Sequence, residues 1–240
     1  MKLKNKIALV TGSSRGIGRE VAIELGKESC EVLIIGRDKE KLNETKQKVL
    51  EVGGKCEMFV VDLRNLNDLK KFIEDVKNKY SSLDILCNVA GIYHSDDKTY
   101  FDIPYEEFSD EAIIDSLEVG IRASMLLAKA FIPLMKNEGR IINTSGTFGK
   151  GEREDVFEKG CMADLVTKKA IEIFTKQLAY ELEDKNITVN AVRPYFVWTE
   201  NVQKFFPEAK NDAVSVNKVA RVYIELIKSN KTGEIIEVRN

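Results

Sequence analysis

The sequence predicts an α/β fold, a single doubly wound domain in which helices cover both faces of a seven-stranded parallel sheet. Strand-like apolar runs alternate with helical segments from end to end, and no repeat or low-complexity linker interrupts them. Several runs are apolar almost without a break, as strands buried on both faces are. A glycine-rich turn joins the first run to an amphipathic segment, giving the order strand, tight turn, helix. A chain of 240 residues suits one domain of this kind with a sizeable core.

Element by element, Ile7-Ala8-Leu9-Val10 starts the sheet, and residues 17–28 carry apolar side chains three and four positions apart, the period of a helix packed on it. Strand 31–35 precedes helix 38–52, and strand 57–61 precedes helix 66–80, with the same switch from unbroken to helically spaced apolar residues. Strand 84–88 leads to a helical stretch, 105–136, long enough for two helices. Strand 140–144, helix 163–184, strand 187–192, helix 216–229 and strand 234–238 complete the pattern. In helix 163–184 the stripe Val166, Ala170, Ile173, Phe174 and Leu178 suits packing on the sheet or a subunit interface.

Composition narrows the function. Basic and acidic residues nearly cancel, leaving a net charge of -2, so neither nucleic acid nor a membrane surface is an expected partner. Cys30, Cys56, Cys87 and Cys161 stand singly, without CxxC pairs, and are expected as reduced core thiols. With a single histidine, His94, and no cysteine near it, no metal-ligand set is expected. Met1 to Lys6 leads straight into the first strand without a signal peptide, and no apolar run reaches membrane-spanning length, so the cytoplasm is the expected compartment.

The chemistry begins at Thr11-Gly12-Ser13-Ser14-Arg15-Gly16-Ile17-Gly18. Glycine is needed where the backbone turns with positive φ and where it must approach a pyrophosphate, whose charge then faces the amides of the helix start. The turn therefore predicts a dinucleotide site. At the end of the second strand an acid would bind an adenosine ribose 2′-hydroxyl, and Gly36 offers none. Arg37 follows it and Arg15 lies in the glycine turn, so two guanidinium groups can converge on a 2′-phosphate, unless Asp38 pairs with one of them. The expected cofactor is NADP(H) in preference to NAD(H).

Further marks follow: Asp62-Leu63 after the third strand, Asn88-Val89-Ala90-Gly91 after the fourth, and Lys129 and Pro133 in the long helix. Gly139-Arg140-Ile141-Ile142-Asn143 forms the fifth strand, Lys169-Ala170 lies in the next helix, and Ile187 to Pro194 forms the sixth strand. On these residues the chain resembles the short-chain dehydrogenase/reductase family from about Lys6 to Val238. The resemblance implies one Rossmann-type domain over residues 1–240. It places Gly12, Ser14, Arg15, Gly16, Ile17, Gly18 and Arg37 at the cofactor, with Asp62 and Leu63 at the adenine. It places Asn88 as a brace of the sheet beside Ala90 and Gly91, and Pro194, Val197 and Thr199 at the nicotinamide end. A homodimer or homotetramer is implied too, although the C-terminal Glu237-Val238-Arg239-Asn240 lacks the family's Asp-Gly-Gly.

Members of that family reduce a carbonyl with a tyrosine as proton donor and a lysine that lowers the phenol's pKa and holds the nicotinamide ribose. A serine steadies the substrate oxygen, and an asparagine sits in the long helix. The spacing YxxxK sets phenol and cation on one helix face. Matching Lys169-Ala170 to the family's lysine puts Leu165 at the tyrosine, and matching Lys168 instead puts Asp164 there; residues 141–179 contain no tyrosine. Gly146 takes the serine's place, with Ser145 as its neighbour, and Gly120 takes the asparagine's, keeping a backbone carbonyl and permitting a kink. Lys169 is then the retained catalytic member, expected to hold the ribose hydroxyls.

Substitutes are at hand. His94, with Asp96 and Asp97 close behind, has the titration range of a proton donor. Tyr195 replaces the glycine that follows the family's proline and can close the pocket or supply a displaced phenol. The charged stretch Lys150 to Asp155 is expected as a surface insertion. Losing a general acid removes about 10²–10⁴ in rate, and losing an oxyanion donor a further ~3 kcal/mol, so ordinary ketone reduction should be impaired. Two readings stand: an NADP(H)-dependent oxidoreductase with altered chemistry on a small molecule, for instance an iminium that needs no protonation of oxygen, or a non-catalytic NADP(H) sensor or scaffold.

Overall fold

The computed structural model describes residues 1–94, 99–100, 103–136, 138–146 and 162–240. Its strands are β1 (Ile7–Thr11), β2 (Glu31–Gly36), β3 (Lys55–Val60), β4 (Ile85–Asn88), β5 (Gly139–Thr144), β6 (Ile187–Pro194) and β7 (Ile235–Val238). They form one seven-stranded sheet in the order β3-β2-β1-β4-β5-β6-β7, every pair parallel. The chain order reverses between β1 and β4, and in such sheets the crevice beyond the carboxyl ends of the strands at that point receives the ligand.

The helices are α1 (Gly16–Lys27), α2 (Lys39–Glu51), α3 (Leu66–Lys79), α4 (Asp110–Leu117), α5 (Ala123–Phe131), α6 (Met162–Glu181), α7 (Glu200–Phe205) and α8 (Val216–Lys228). Several start where a side chain supplies the missing acceptor: Asp38 accepts from the Lys41 amide at 3.0 Å, and Asn65 from the Asn67 amide at 2.9 Å. The stretch expected as one or two helices is α4 and α5 joined through a π-helical turn, Glu118–Arg122. Gly120 lies in that turn because α6 comes so close that a Cβ there would stand 2.7 Å from the Thr167 Cβ.

Alternation along β1 divides the core. Ala8 and Val10 pack with Val21, Leu25, Ile34 and Tyr223 beneath α1 and α8, while Leu9 packs with Leu33, Leu69, Phe72 and Phe131 beneath α3 and α5. Across the middle, Asn88 Nδ2 donates to Asn143 Oδ1 at 2.8 Å, tying β4 to β5. The apolar stripe of α6 splits: Phe174 and Leu178 pack on the sheet's core, but Val166 and Ile173 are 51% and 69% exposed and do not. Cys30, Cys56 and Cys87 are free thiols, and burial pushes Cys30 and Cys56 up to about 12; Cys161 lies outside the described residues. Among the described residues no helix is long and apolar enough to cross a membrane, and no cluster of metal-ligating side chains occurs.

Candidate functional site

A cleft of about 270 Å³ opens at the carboxyl ends of the strands where the order reverses. Its floor is the glycine turn. Gly12 and Gly16 take φ of +68° and +56°, a conformation that side chains disfavour, and a Cβ on Gly18 would overlap the Gly12 carbonyl. Thr11 Oγ1 accepts the amides of Val89 at 2.9 Å and Ala90 at 3.0 Å, which clamps the turn to the end of β4. At the end of β2 a Cβ on Gly36 would meet Ser14 Oγ at 2.4 Å, so a side chain there requires the Ser14 hydroxyl to turn away.

The start of α1 already attracts an anion. The Gly16 amide donates to Glu200 Oε2 at 3.0 Å, and Arg19 Nη1 reaches Glu200 Oε1 at 3.1 Å. A carboxylate of the chain thus stands where a pyrophosphate would be favoured by the same amide and helix dipole. Arg15 and Arg37 line the adjoining wall, and neither forms an ion pair among the described residues. Asp38 is occupied elsewhere: it accepts from the Lys41 amide and sits 3.5 Å from Lys41 Nζ, and that amide bond first, then the ammonium, holds its carboxyl below the usual range. Asp62 and Leu63 border the same end. Asp62 is gripped by Arg64 at 2.6 Å, whose hydrogen bonds lower its pKa, and Arg64 reaches on to Asp115 at 2.9 Å. These residues fit a nicotinamide dinucleotide.

At the other end, the phase of α6 decides the chemistry. Asp164 and Lys168, one helical turn apart, face the cleft, with Lys168 Nζ 4.0 Å from Asp164 Oδ1. Lys169 and Leu165 lie about 100° further round and do not line it. Lys169 instead lies 3.4 Å from Glu172 Oε2 with its side chain 43% exposed, and Leu165 is buried away from the cleft. Lys168, rather than the expected Lys169, is thus the lysine that lines the cleft, with Asp164 one turn before it in the same wall. That aspartate is only 2% exposed, and its Oδ2 has no hydrogen-bond partner among the described residues. Burial pushes its pKa up to about 6, against the pull of Lys168.

Of the other expected residues, Gly12, Ser14, Arg15, Gly16, Ile17, Gly18, Arg37, Asp62, Leu63, Ala90, Gly91, Pro194, Val197 and Thr199 all border the cleft. Asn88 does not, and serves the sheet alone. Gly146 borders it, and a Cβ there would make ordinary contact with Lys168 at 3.5 Å. Ser145 borders it too, with its hydroxyl donating to Glu172 Oε1 at 2.6 Å. His94 stands at the mouth, its Nε2 2.6 Å from Asn201 Nδ2 and its ring 5.6 Å from that of Phe205; Asp96, Asp97 and the stretch Lys150 to Asp155 lie outside the described residues. Tyr195 lines the cleft as expected. Tyr93 does so too, with its hydroxyl bonded to the side chains of Thr199 and Asn201, and the sequence signalled it only by its place two residues after Gly91.

This sequence and architecture match known proteins. The family model described as short chain dehydrogenase matches residues 6–210. The uncharacterized oxidoreductase YxbG of Bacillus subtilis is 31% identical over 204 residues, 85% of this chain and 71% of that protein. The 3-oxoacyl-(acyl-carrier-protein) reductase FabG of Aquifex aeolicus is 30% identical over 253 residues, 99% of this chain and 97% of that one. Among solved structures, a metagenomic short-chain oxidoreductase in complex with NADP aligns with a TM-score of 0.80 and 27% identity, covering 100% of this chain and 97% of that one. With a matching family model over most of its length and relatives of this identity, the chain belongs to the short-chain dehydrogenase/reductase family.

Proposed function

We propose that this protein binds NADP(H) in preference to NAD(H) and acts as an oxidoreductase on a small organic substrate, with Asp164 and Lys168 where its relatives' tyrosine and lysine are expected. Ordinary ketones are then poor substrates. The observation that carries the reading is the Asp164–Lys168 pair in the cleft wall, with Gly146 beside it. When bound, the reduced cofactor supplies a hydride. In this reading Lys168, lining the cleft, holds the nicotinamide ribose, Arg15 and Arg37 grip the 2′-phosphate, and the α1 amides face the pyrophosphate. An ionisable carboxyl kept in the cleft at a strongly raised pKa favours an active site over a passive scaffold. A second copy of the chain fits the exposed apolar side chains of α4, α5 and α6, namely Ile114, Met125, Val166 and Ile173, and light scattering tests that homodimer.

The test follows NADPH absorbance with panels of ketones, enones and imines, comparing the wild type with the double variant Gly146→Ser, Asp164→Tyr. The wild type should turn over at least one class, and the double variant should gain ketone reduction by about 10²-fold or more. Turnover of no class by the wild type would leave a non-catalytic nucleotide-binding protein, and failure to bind either nucleotide would overturn the reading altogether.

A further inference from the structure

We infer that the reactive centre of the substrate is an iminium, a positively charged carbon–nitrogen double bond, and that Asp164 is its counter-ion at nitrogen. The inference rests on the reading of the cleft as an NADP(H) site. Asp164 is buried, yet its Oδ2 has no hydrogen-bond partner among the described residues. A buried carboxylate with an empty acceptor is costly, and a cationic donor from the substrate satisfies both its charge and its lone pair. Lys168 leaves that oxygen available: its Nζ stands 4.0 Å from Oδ1, in the space left at Gly91, where a Cβ would meet it at 3.0 Å.

The surroundings disfavour an oxygen-centred reaction. A ketone accepting hydride becomes an alkoxide, and here it would develop negative charge beside a carboxylate. Gly146 offers no hydroxyl to it, and Ser145 Oγ is committed to Glu172. An iminium starts positive and ends neutral, so no negative charge ever faces Asp164. Tyr93 and Phe196 add aromatic lining to the cleft, while the Tyr195 ring carries the Arg239 guanidinium 5.8 Å from its centroid. An aspartate is also shorter than a tyrosine, which deepens this part of the cleft for a substituted nitrogen.

The step balances without a proton donor. The hydride lost by NADPH forms the new C–H bond, the C=N π pair becomes the nitrogen lone pair, and an amine and NADP⁺ result. The role of Asp164 is to hold an imine in its protonated form, the one that accepts hydride, and to fix its nitrogen.

The test compares a cyclic imine, methylpyrroline, with its ketone counterpart, methylcyclopentanone. The wild type should favour the imine by about 10²-fold or more in kcat/KM, and Asp164→Asn should lose about 10²-fold on the imine. A second readout is independent of turnover. Calorimetry of pyrrolidinium binding to the protein in excess NADP⁺ should show about tenfold weaker binding in Asp164→Asn. Melting curves establish that the variant is folded. Equal rates on both probes, or undiminished imine turnover or pyrrolidinium affinity in Asp164→Asn, would overturn the inference. If NADPH is not bound, the proposed function falls with it; if NADPH is consumed with enones or ketones but not with the imine, only the iminium assignment falls.

Discussion

Replacing Asp164 by asparagine keeps the shape of the side chain and removes its charge, so it isolates what burying that charge does to stability. The carboxyl is buried in the folded protein and titrates at about 6, against 3.8 for an ordinary aspartate. A shift of about two pH units is worth about 3 kcal/mol. The sign follows from linkage. With the folded pKa above the unfolded one, the protonated carboxyl supports the fold below pH ~4, and that support is lost as pH rises through about 6. Asparagine has no such dependence. Urea unfolding of wild type and Asp164→Asn between pH 4 and 8 should therefore show the difference in unfolding free energy moving by about 2–3 kcal/mol in favour of the variant as pH rises. Any constant effect of the new amide cancels in this comparison. A difference that stays flat with pH, or moves toward the wild type at high pH, would refute the placement of Asp164 as a carboxyl whose burial outweighs the pull of Lys168.

Three further outcomes are expected. Gly18→Ala puts a Cβ into the Gly12 carbonyl, a backbone atom that cannot swing aside, so NADPH binding measured by fluorescence should fall by about 10²-fold or more; an unchanged Kd contradicts the role given to the turn. Arg37→Ala should weaken NADPH by about tenfold and leave NADH nearly unaffected, the loss of one charge-assisted contact to the 2′-phosphate. Equal losses for both nucleotides would remove the basis for cofactor choice. Glu200→Gln takes a competing charge from the start of α1 and should tighten NADPH binding by about two- to fivefold, whereas weaker binding would show that Glu200 supports the site.

Different parts of this structure were legible in the sequence to different degrees, for physical reasons. The nucleotide half was plain because Gly12, Gly16 and Gly18 answer to backbone geometry, which admits few other residues. The strands followed from unbroken apolar runs, and their ends from little else, so β3 begins at Lys55, two residues before the predicted start. Helix α6 was the hard case. Lys168 and Lys169 are neighbours, each with a residue four positions back, and only the rotation of the helix against the sheet selects Asp164 over Leu165. That rotation is a tertiary fact, set by Ile171 and Thr175 packing inward and by Thr167 against Gly120. Helix α7 was missed because six residues are too few to show a period, yet its first turn carries the Glu200 that meets the glycine turn.

The most direct test is a crystal structure with NADP⁺ bound, read at the nicotinamide and at the 2′-phosphate. The account predicts Asp164 and Lys168 beside the nicotinamide and its ribose, Arg15 and Arg37 on the 2′-phosphate, and Glu200 displaced from Gly16. Lys169 at the ribose with Leu165 facing the nicotinamide, or a 2′-phosphate untouched by either arginine, would contradict it.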